Sequence, residues 1–313
     1  MYNLFNKLFY VYDIWGIGIY EGDDIHKIYH SKNTKVPVLS GRDVTDCKAR
    51  FVADPFMIKH DNVWYMFFEI YDDVKSKGLI GVATSNDAYS WEYKNIVLEE
   101  DFHLSYPYVF ELNNKIYMMP ETAESGYIKI YEAINFPYEW KCISNIIEGK
   151  YWDPSFVIHD NKFWIFAKGE EPYKDSLYLF YSDSLECGWK PHCSNPIIKE
   201  DSVRCRPGGR VIKDNGKLYR YSQDCSVHYG KSIIGFEIEN ITVDEYKEKE
   251  LGVIIKGSDI NKTWNKDGMH TVDIHNVNDK YLVAVDGFYY KKVNKISRNI
   301  EFLFRKIKNI IGD

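Results

Sequence analysis

The stretch Tyr151-Trp152-Asp153-Pro154-Ser155-Phe156-Val157-Ile158-His159-Asp160-Asn161-Lys162-Phe163-Trp164-Ile165-Phe166-Ala167-Lys168-Gly169-Glu170 has four parts. They are a corner at Asp153-Pro154, a short apolar strand, a tight polar turn at His159-Asp160-Asn161, and a second apolar strand ending beside an acid. The pattern recurs. Ala53-Asp54-Pro55-Phe56 turns at His60-Asp61-Asn62 and ends at Glu69, and Ser105-Tyr106-Pro107-Tyr108 turns at Asn113-Asn114 and ends at Pro120-Glu121. Cys205-Arg206-Pro207-Gly208 turns at Asp214-Asn215-Gly216 and ends at Gln223-Asp224. A degenerate copy begins at Gly268-Met269-His270-Thr271 and ends at Asp286-Gly287. Pro55, Pro107, Pro154 and Pro207 stand 52, 47 and 53 residues apart. A period of roughly 40–50 residues with several strands per unit is the signature of a β-propeller. The expected fold is therefore all-β and five-bladed, with blades starting near 53, 105, 152, 205 and 268.

Within each unit the first two strands are continuous apolar runs, as expected of strands buried on both faces between neighbouring blades. Gly78–Ser85 and Trp91–Leu98 read as third and fourth strands. Trp91, Trp140 and Trp189, each 49 residues from the next, mark equivalent outer-strand core positions. The alternating Trp15-Gly16-Ile17-Gly18-Ile19-Tyr20 is expected to close the ring by pairing with the blade that begins near 268. Residues 246–267 are polar and read as a long loop. Residues 1–290 thus form the propeller, and 291–313 read as a basic amphipathic helix. Its Ile296, Ile300, Leu303, Ile307 and Ile310 recur at helical spacing, and over 291–311 seven Lys and Arg stand against the single acid Glu301. Such a helix suits an anionic membrane surface, a partner, or the propeller's own flank.

Composition narrows the function. The 313 residues carry a net charge of −6, which argues against a general nucleic-acid binder. No stretch of about 18 apolar residues and no secretion signal is present. The six cysteines form no Cys-x-x-Cys pair, so neither a zinc site nor any other metal or cofactor is signalled. Free thiols in a reducing, cytoplasmic setting are expected, and 291–311 is the segment that would make any peripheral membrane contact.

Adjacent strands in a blade are antiparallel, so first-strand starts and second-strand ends share one face. That register brings Asp54, Tyr106, Asp153, Arg206 and His270 to the mouth of the central channel, with Glu69, Glu121, Glu170, Asp224 and Asp286. Acids, one Arg and one His in an aromatic funnel suit a polyhydroxylated ligand. Two of the acids could work as acid and base, or acid and nucleophile, at a glycosidic bond. Asp before Pro is also a turn device. Different residues occupy the equivalent corners, however, which favours function at Asp54 and Asp153. Glu69 and Glu170 read as structural, and for His270 both readings stand. Arg206 and Arg210 flank Gly208-Gly209; they fit either an anionic ligand group or pairing with the acids.

These corners, together with Pro120-Glu121-Thr122, Arg206-Pro207-Gly208-Gly209-Arg210, Gln223-Asp224-Cys225-Ser226 with Tyr229-Gly230, and His270-Thr271, resemble a known family. It is the N-terminal domain of plant glucosamine inositolphosphorylceramide transferases and their bacterial polysaccharide-locus relatives, matched from about Trp15 to about Gly287. The resemblance implies a five-bladed propeller related to arabinanase, xylosidase and levansucrase glycosidases. It implies Asp54 as base or nucleophile, Asp153 as the orienting acid and Glu121 as general acid, in a chain order unlike that of the glycosidases. Tyr106, Arg206, Arg210, Asp224 and His270 are the expected substrate-binding set. In the plant members the transferase centre is assigned to a separate C-terminal domain, which these 313 residues are expected to lack. The first reading is a glycosyltransferase of surface-glycan biosynthesis with a carbohydrate or glycolipid substrate. A furanosidase-like glycoside hydrolase and a non-catalytic glycan- or partner-binding propeller stand beside it.

Overall fold

The computed structural model describes residues 9–294 other than 33, 35, 259, 261, 262, 278 and 279. Five sheets are arranged as the repeat requires. Blade one runs Ala49–His60, Val63–Asp72, Lys77–Ser85 and Glu92–Leu98. Blade two runs Ser105–Leu112, Lys115–Glu121, Tyr127–Asn135 and Glu139–Glu148. Blade three runs Tyr151–His159, Lys162–Gly169, Ser176–Ser182 and the short Lys190–Pro191, and blade four runs Ile212–Asp214, Lys217–Asp224, Ser232–Ile241 and Tyr246–Lys256. The fold is an all-β, five-bladed propeller.

Blade five is made from both ends of the chain. Val272–Val277 and Lys280–Asn294 supply its inner strands, Phe9–Asp24 its third and Lys27–His30 its fourth. The joint is long, with register running from Phe9 opposite Asn294 to Gly22 opposite Tyr281. Ile17 and Ile19 are fully buried in it. The two inner strands of blades one, two and three are buried along most of their length, and apolar side chains such as Phe56, Phe67, Tyr108 and Met118 fill the wedge between blades one and two. Trp91, Trp140 and Trp189 hold equivalent outer positions, each indole N–H donating at 2.9 Å to a carbonyl three or four residues back.

Two expectations are corrected. The stretch 246–267 is not all loop: Tyr246–Lys256 is the outer strand of blade four. An edge strand facing water carries charge on its exposed positions, and its alternating Lys and Glu hid it. Its Glu248 turns inward instead, to pair with buried Arg220. The helix expected from residue 291 does not begin there, because Lys280–Asn294 is still strand; the rest of that expectation lies outside the described residues.

The three strongest repeat copies share one backbone feature. Asp54, Tyr106 and Asp153, each just before a proline, adopt positive φ of 53°, 46° and 53°. At the same step the ladder slips, between Ala53 and Phe56, Ser105 and Tyr108, and Trp152 and Ser155. Each corner is thus a β-bulge that re-aims one side chain out of the sheet. Asp54 turns toward the mouth, whereas Tyr106 crosses the axis, fully buried. The Gly209 N–H donates to its hydroxyl at 2.5 Å, the hydroxyl lies 2.8 Å from Ser155 Oγ, and Ser155 Oγ donates to the Gly209 carbonyl at 2.9 Å. This closed ring ties blades two, three and four. Only glycine fits at 209, where φ is 150° and a Cβ would lie 1.9 Å from the Val272 carbonyl oxygen.

Tyr106→Phe deletes the hydroxyl and leaves the Gly209 N–H without its acceptor. The expected loss is about 1–3 kcal/mol in urea unfolding; unchanged stability would show that this ring does not hold the blades.

Candidate functional site

At the face where first strands begin and second strands end, a cavity of about 300 Å³ opens on the axis. Its floor carries Asp54, Glu69 and Glu121, and its rim is aromatic, with Trp15, Phe51, Tyr71, Trp152 and Tyr229. Arg206, His103 and His270 complete the chemistry of the wall.

Asp54 is buried. Its Oδ1 accepts the Thr271 hydroxyl at 2.6 Å and lies 3.7 Å from His270 Nε2, and its Oδ2 accepts the Tyr106 N–H at 3.3 Å. Burial pushes its carboxyl up to about 6, the nearby His270 opposing the shift and Asp286 and Asp153 adding to it. Asp286 is a hub: it accepts the backbone N–H groups of Asp54, His270 and Thr271 and sits 2.7 Å from His270 Nδ1. The imidazole stacks on Trp15 at 4.0 Å and meets the Tyr229 ring edge-on at 5.0 Å. Burial disfavours its charge, but Asp286 and Asp54 outweigh burial and hold its pKa above the usual histidine value.

Glu121, at the end of its strand, accepts the Ala123 N–H at 2.7 Å and the Ser105 hydroxyl at 3.4 Å. Burial and then the charge of Asp153 push it up to about 8 against those bonds and Arg206. Asp153 is buried behind Arg206, whose Nε donates to it at 2.5 Å; Gln223 Nε2 donates to the same oxygen at 2.8 Å. Asp153 therefore anchors Arg206, whose guanidinium also lies 4.8 Å from the Tyr229 ring centre.

The structure brings Asp54, Glu121, Arg206 and His270 to the cavity, with Asp153 beneath the wall. It takes three of the expected substrate-binding residues elsewhere. Tyr106 is locked in the axial ring. Arg210 pairs with Asp273 at 2.6 Å and donates to the Met57 carbonyl at 3.2 Å, clamping blades four, five and one. Burial opposes ionisation of Asp273, yet Arg210 and His275 together hold its carboxyl down at about 2. Asp224 is used up in its own turn by Ser226 and Lys231. Glu170 pairs with Lys168 at 2.6 Å. The cavity adds Trp15, Glu69, His103 and Tyr229, with Asp286 supporting His270. Register had placed Glu69 and Asp286 at this mouth, but Trp15 arrives only through ring closure and His103 from a linker between blades. Asp54, His270 and Asp286 also offer ligand atoms within 4.8 Å of one another, a spacing that could hold a cation.

The chain is a five-bladed propeller with buried acids at one mouth of its axis. Solved structures share the fold: the β-1,2-mannobiose phosphorylase of Listeria innocua (TM-score 0.61, 10% identity, 86% of this chain and 96% of that one) and an α-L-arabinanase of Cellvibrio cellulosa (TM-score 0.54, 16% identity, 78% and 91%). The chain belongs to the family described as glucosamine inositolphosphorylceramide transferase 1, N-terminal, whose model matches residues 13–288. Proteins named glucosamine inositolphosphorylceramide transferase 1 are 33% identical over 295 residues in Arabidopsis thaliana and 37% over 245 residues in Oryza sativa subsp. japonica. These matches cover 87% and 76% of this chain but only 39% and 33% of the relatives' own lengths.

Glu121 carries a stability signature. Its folded pKa of about 8 lies above the unfolded 4.5, so the folded state holds a proton that the unfolded state has lost. Stability should therefore fall as pH rises from about 4.5 to about 8. Glu121→Gln should flatten part of that decline, read from urea midpoints across the window; parallel curves for variant and wild type would contradict this assignment.

Proposed function

We propose that this propeller is a glycosyltransferase-type enzyme that acts at a glycosidic bond in the axial cavity, on a carbohydrate or the sugar end of a glycolipid. The observation that carries the reading is a split between two acids on one cavity wall. Asp54, at about 6, is mostly ionised at neutral pH, and Glu121, at about 8, is mostly protonated. Environments that push two carboxyls apart in this way divide base from acid.

In this scheme Glu121 gives its proton to the glycosidic oxygen as the bond to the anomeric carbon breaks. Asp54 takes the proton of the incoming acceptor hydroxyl as the new bond forms; with water as acceptor the same steps give hydrolysis. Arg206, fixed by Asp153, and the aromatic rim orient the ring, whose C–H face suits Trp15 or Trp152. The family relatives' name supports a glycolipid acceptor. The basic composition of 291–311 supports a peripheral membrane contact and a place in surface-glycan biosynthesis on the cytoplasmic side.

The test incubates the protein with sugar nucleotides and with lipid-linked or simple glycoside acceptors, products being read by mass spectrometry. A new glycoside, absent with Asp54→Asn, is the expected result. Its rate should trace a bell with limbs near 6 and 8, because the acid limb titrates Asp54 and the alkaline limb Glu121. Free sugar alone would make it a hydrolase. Saturable binding without turnover would leave a binding propeller.

A further inference from the structure

Each acid of the site except one has its hydrogen bonds supplied. Asp54 has Thr271 and the Tyr106 N–H, Glu121 has Ala123 and Ser105, and Asp153 has Arg206 and Gln223. Glu69 is 6% exposed and lines the cavity, and its carboxyl receives no hydrogen bond among the described residues. His103 stands beside it, its Nε2 3.5 Å from Glu69 Oε1. At that length the pair is too far apart for a good bond between them.

The histidine is not free to turn. Gly78 donates its N–H to His103 Nδ1 at 2.9 Å, so in the neutral imidazole the proton sits on Nε2, the atom facing Glu69. The His103 N–H is itself held by Glu124 at 2.9 Å. Gly78 makes the niche possible: a Cβ there would lie 2.2 Å from the Leu104 carbonyl oxygen, 2.8 Å from the imidazole and 2.9 Å from Glu69 Oε1. Burial lowers the pKa of His103 and raises that of Glu69, so neither group is readily satisfied as an ion.

We infer that Glu69 and His103 form a hydroxyl-selecting subsite in the cavity, gripping one hydroxyl of a neutral sugar or cyclitol ring. The donor Nε2–H and the acceptor Oε1 stand side by side, and one hydroxyl satisfies both: its oxygen accepts from His103 and its hydrogen goes to Glu69. An ammonium has no lone pair for His103. A carboxylate or phosphate oxygen brings no hydrogen to a Glu69 acceptor oxygen, and it adds negative charge to a buried, acid-lined wall. A site built to bond a hydroxyl discriminates against the analogue lacking it, because its own buried groups are then left unpaired. This inference rests on the carbohydrate reading above and names the group that the site selects.

The test is an NMR titration of the full chain with methyl β-D-glucopyranoside, methyl α-D-mannopyranoside, myo-inositol and glucosamine, followed by monodeoxy forms of whichever binds. Imidazole nitrogens and carboxyl carbons report on each site residue. The expected result is movement of His103 Nε2 and the Glu69 carboxyl. One deoxy position should cost about tenfold or more in affinity for wild type. That position should cost nothing further in Glu69→Ala, while Glu69→Gln, which keeps the acceptor oxygen, should retain most of the binding. If a ring moves Glu121 and His270 but leaves His103 still, or if every deoxy form loses equally in wild type and Glu69→Ala, the subsite is overturned while the carbohydrate reading stands. If none of the probes moves any cavity group, both fall.

Discussion

A left-handed backbone residue in front of a proline is the constraint on which the rest depends. The residue before proline prefers extended backbone, and positive φ is uncommon for any residue with a side chain. Asp54, Tyr106 and Asp153 all accept it, at a cost of about 1–3 kcal/mol each. What holds them there is specific to each blade. Asp286 takes the Asp54 N–H, Arg206 and Gln223 take the Asp153 carboxylate, and Gly209 with Ser155 takes the Tyr106 hydroxyl. In every case part of the grip comes from another blade. The strained corners therefore exist only in the closed ring, and the ring closes only because Phe9–Asp24 reaches the last blade.

The architecture was legible because the repeat is written in strong signals: proline corners, Asn-rich turns and apolar runs at a steady period. Even the closing strand showed itself, since alternating Gly and apolar residues at 15–20 need a close neighbour. The miss at Tyr246–Lys256 has the opposite cause. An edge strand with charged exposed positions is written like a loop, and the inward turn of Glu248 toward Arg220 depends on a partner 28 residues away. Blade four misleads in a second way. Its innermost strand shrinks to Ile212–Asp214 because Pro207-Gly208-Gly209 yields to Val272.

Register alone brought the right strand ends to one face, so Asp54, Glu121, Arg206 and His270 were readable at the mouth. It could not say which side chains leave the mouth once there. Tyr106 occupies the same step as Asp54 and Asp153, yet a long aromatic on a bulge reaches the axis instead of lining the funnel. Nor could it find Asp286 as the support of His270, or that the Glu69 carboxyl opens on the cavity with no donor bonded to it among the described residues. Hydrogen-bond supply is set by neighbours distant in sequence, such as Thr271 for Asp54 and Ala123 for Glu121.

The pairing of the two arginines bears on the polarity of the proposed ligand. In sequence they suit an anionic group as well as they suit the ring of acids. In the folded chain Arg210 is tied to Asp273 and Arg206 to Asp153. His270 lies between Asp286 and Asp54, and burial holds His103 toward its neutral form. No cation on the described wall is therefore without a carboxylate or a neutral state, while Asp13, Asp54, Glu69, Glu121 and Glu124 all face the same space. An anion entering there would meet the Asp54 carboxylate and would make the buried Glu69 and Glu121 carboxyls harder still to ionise. A neutral ring meets the opposite situation: hydroxyls to satisfy Glu69 and His103, and aromatic faces for its C–H edges.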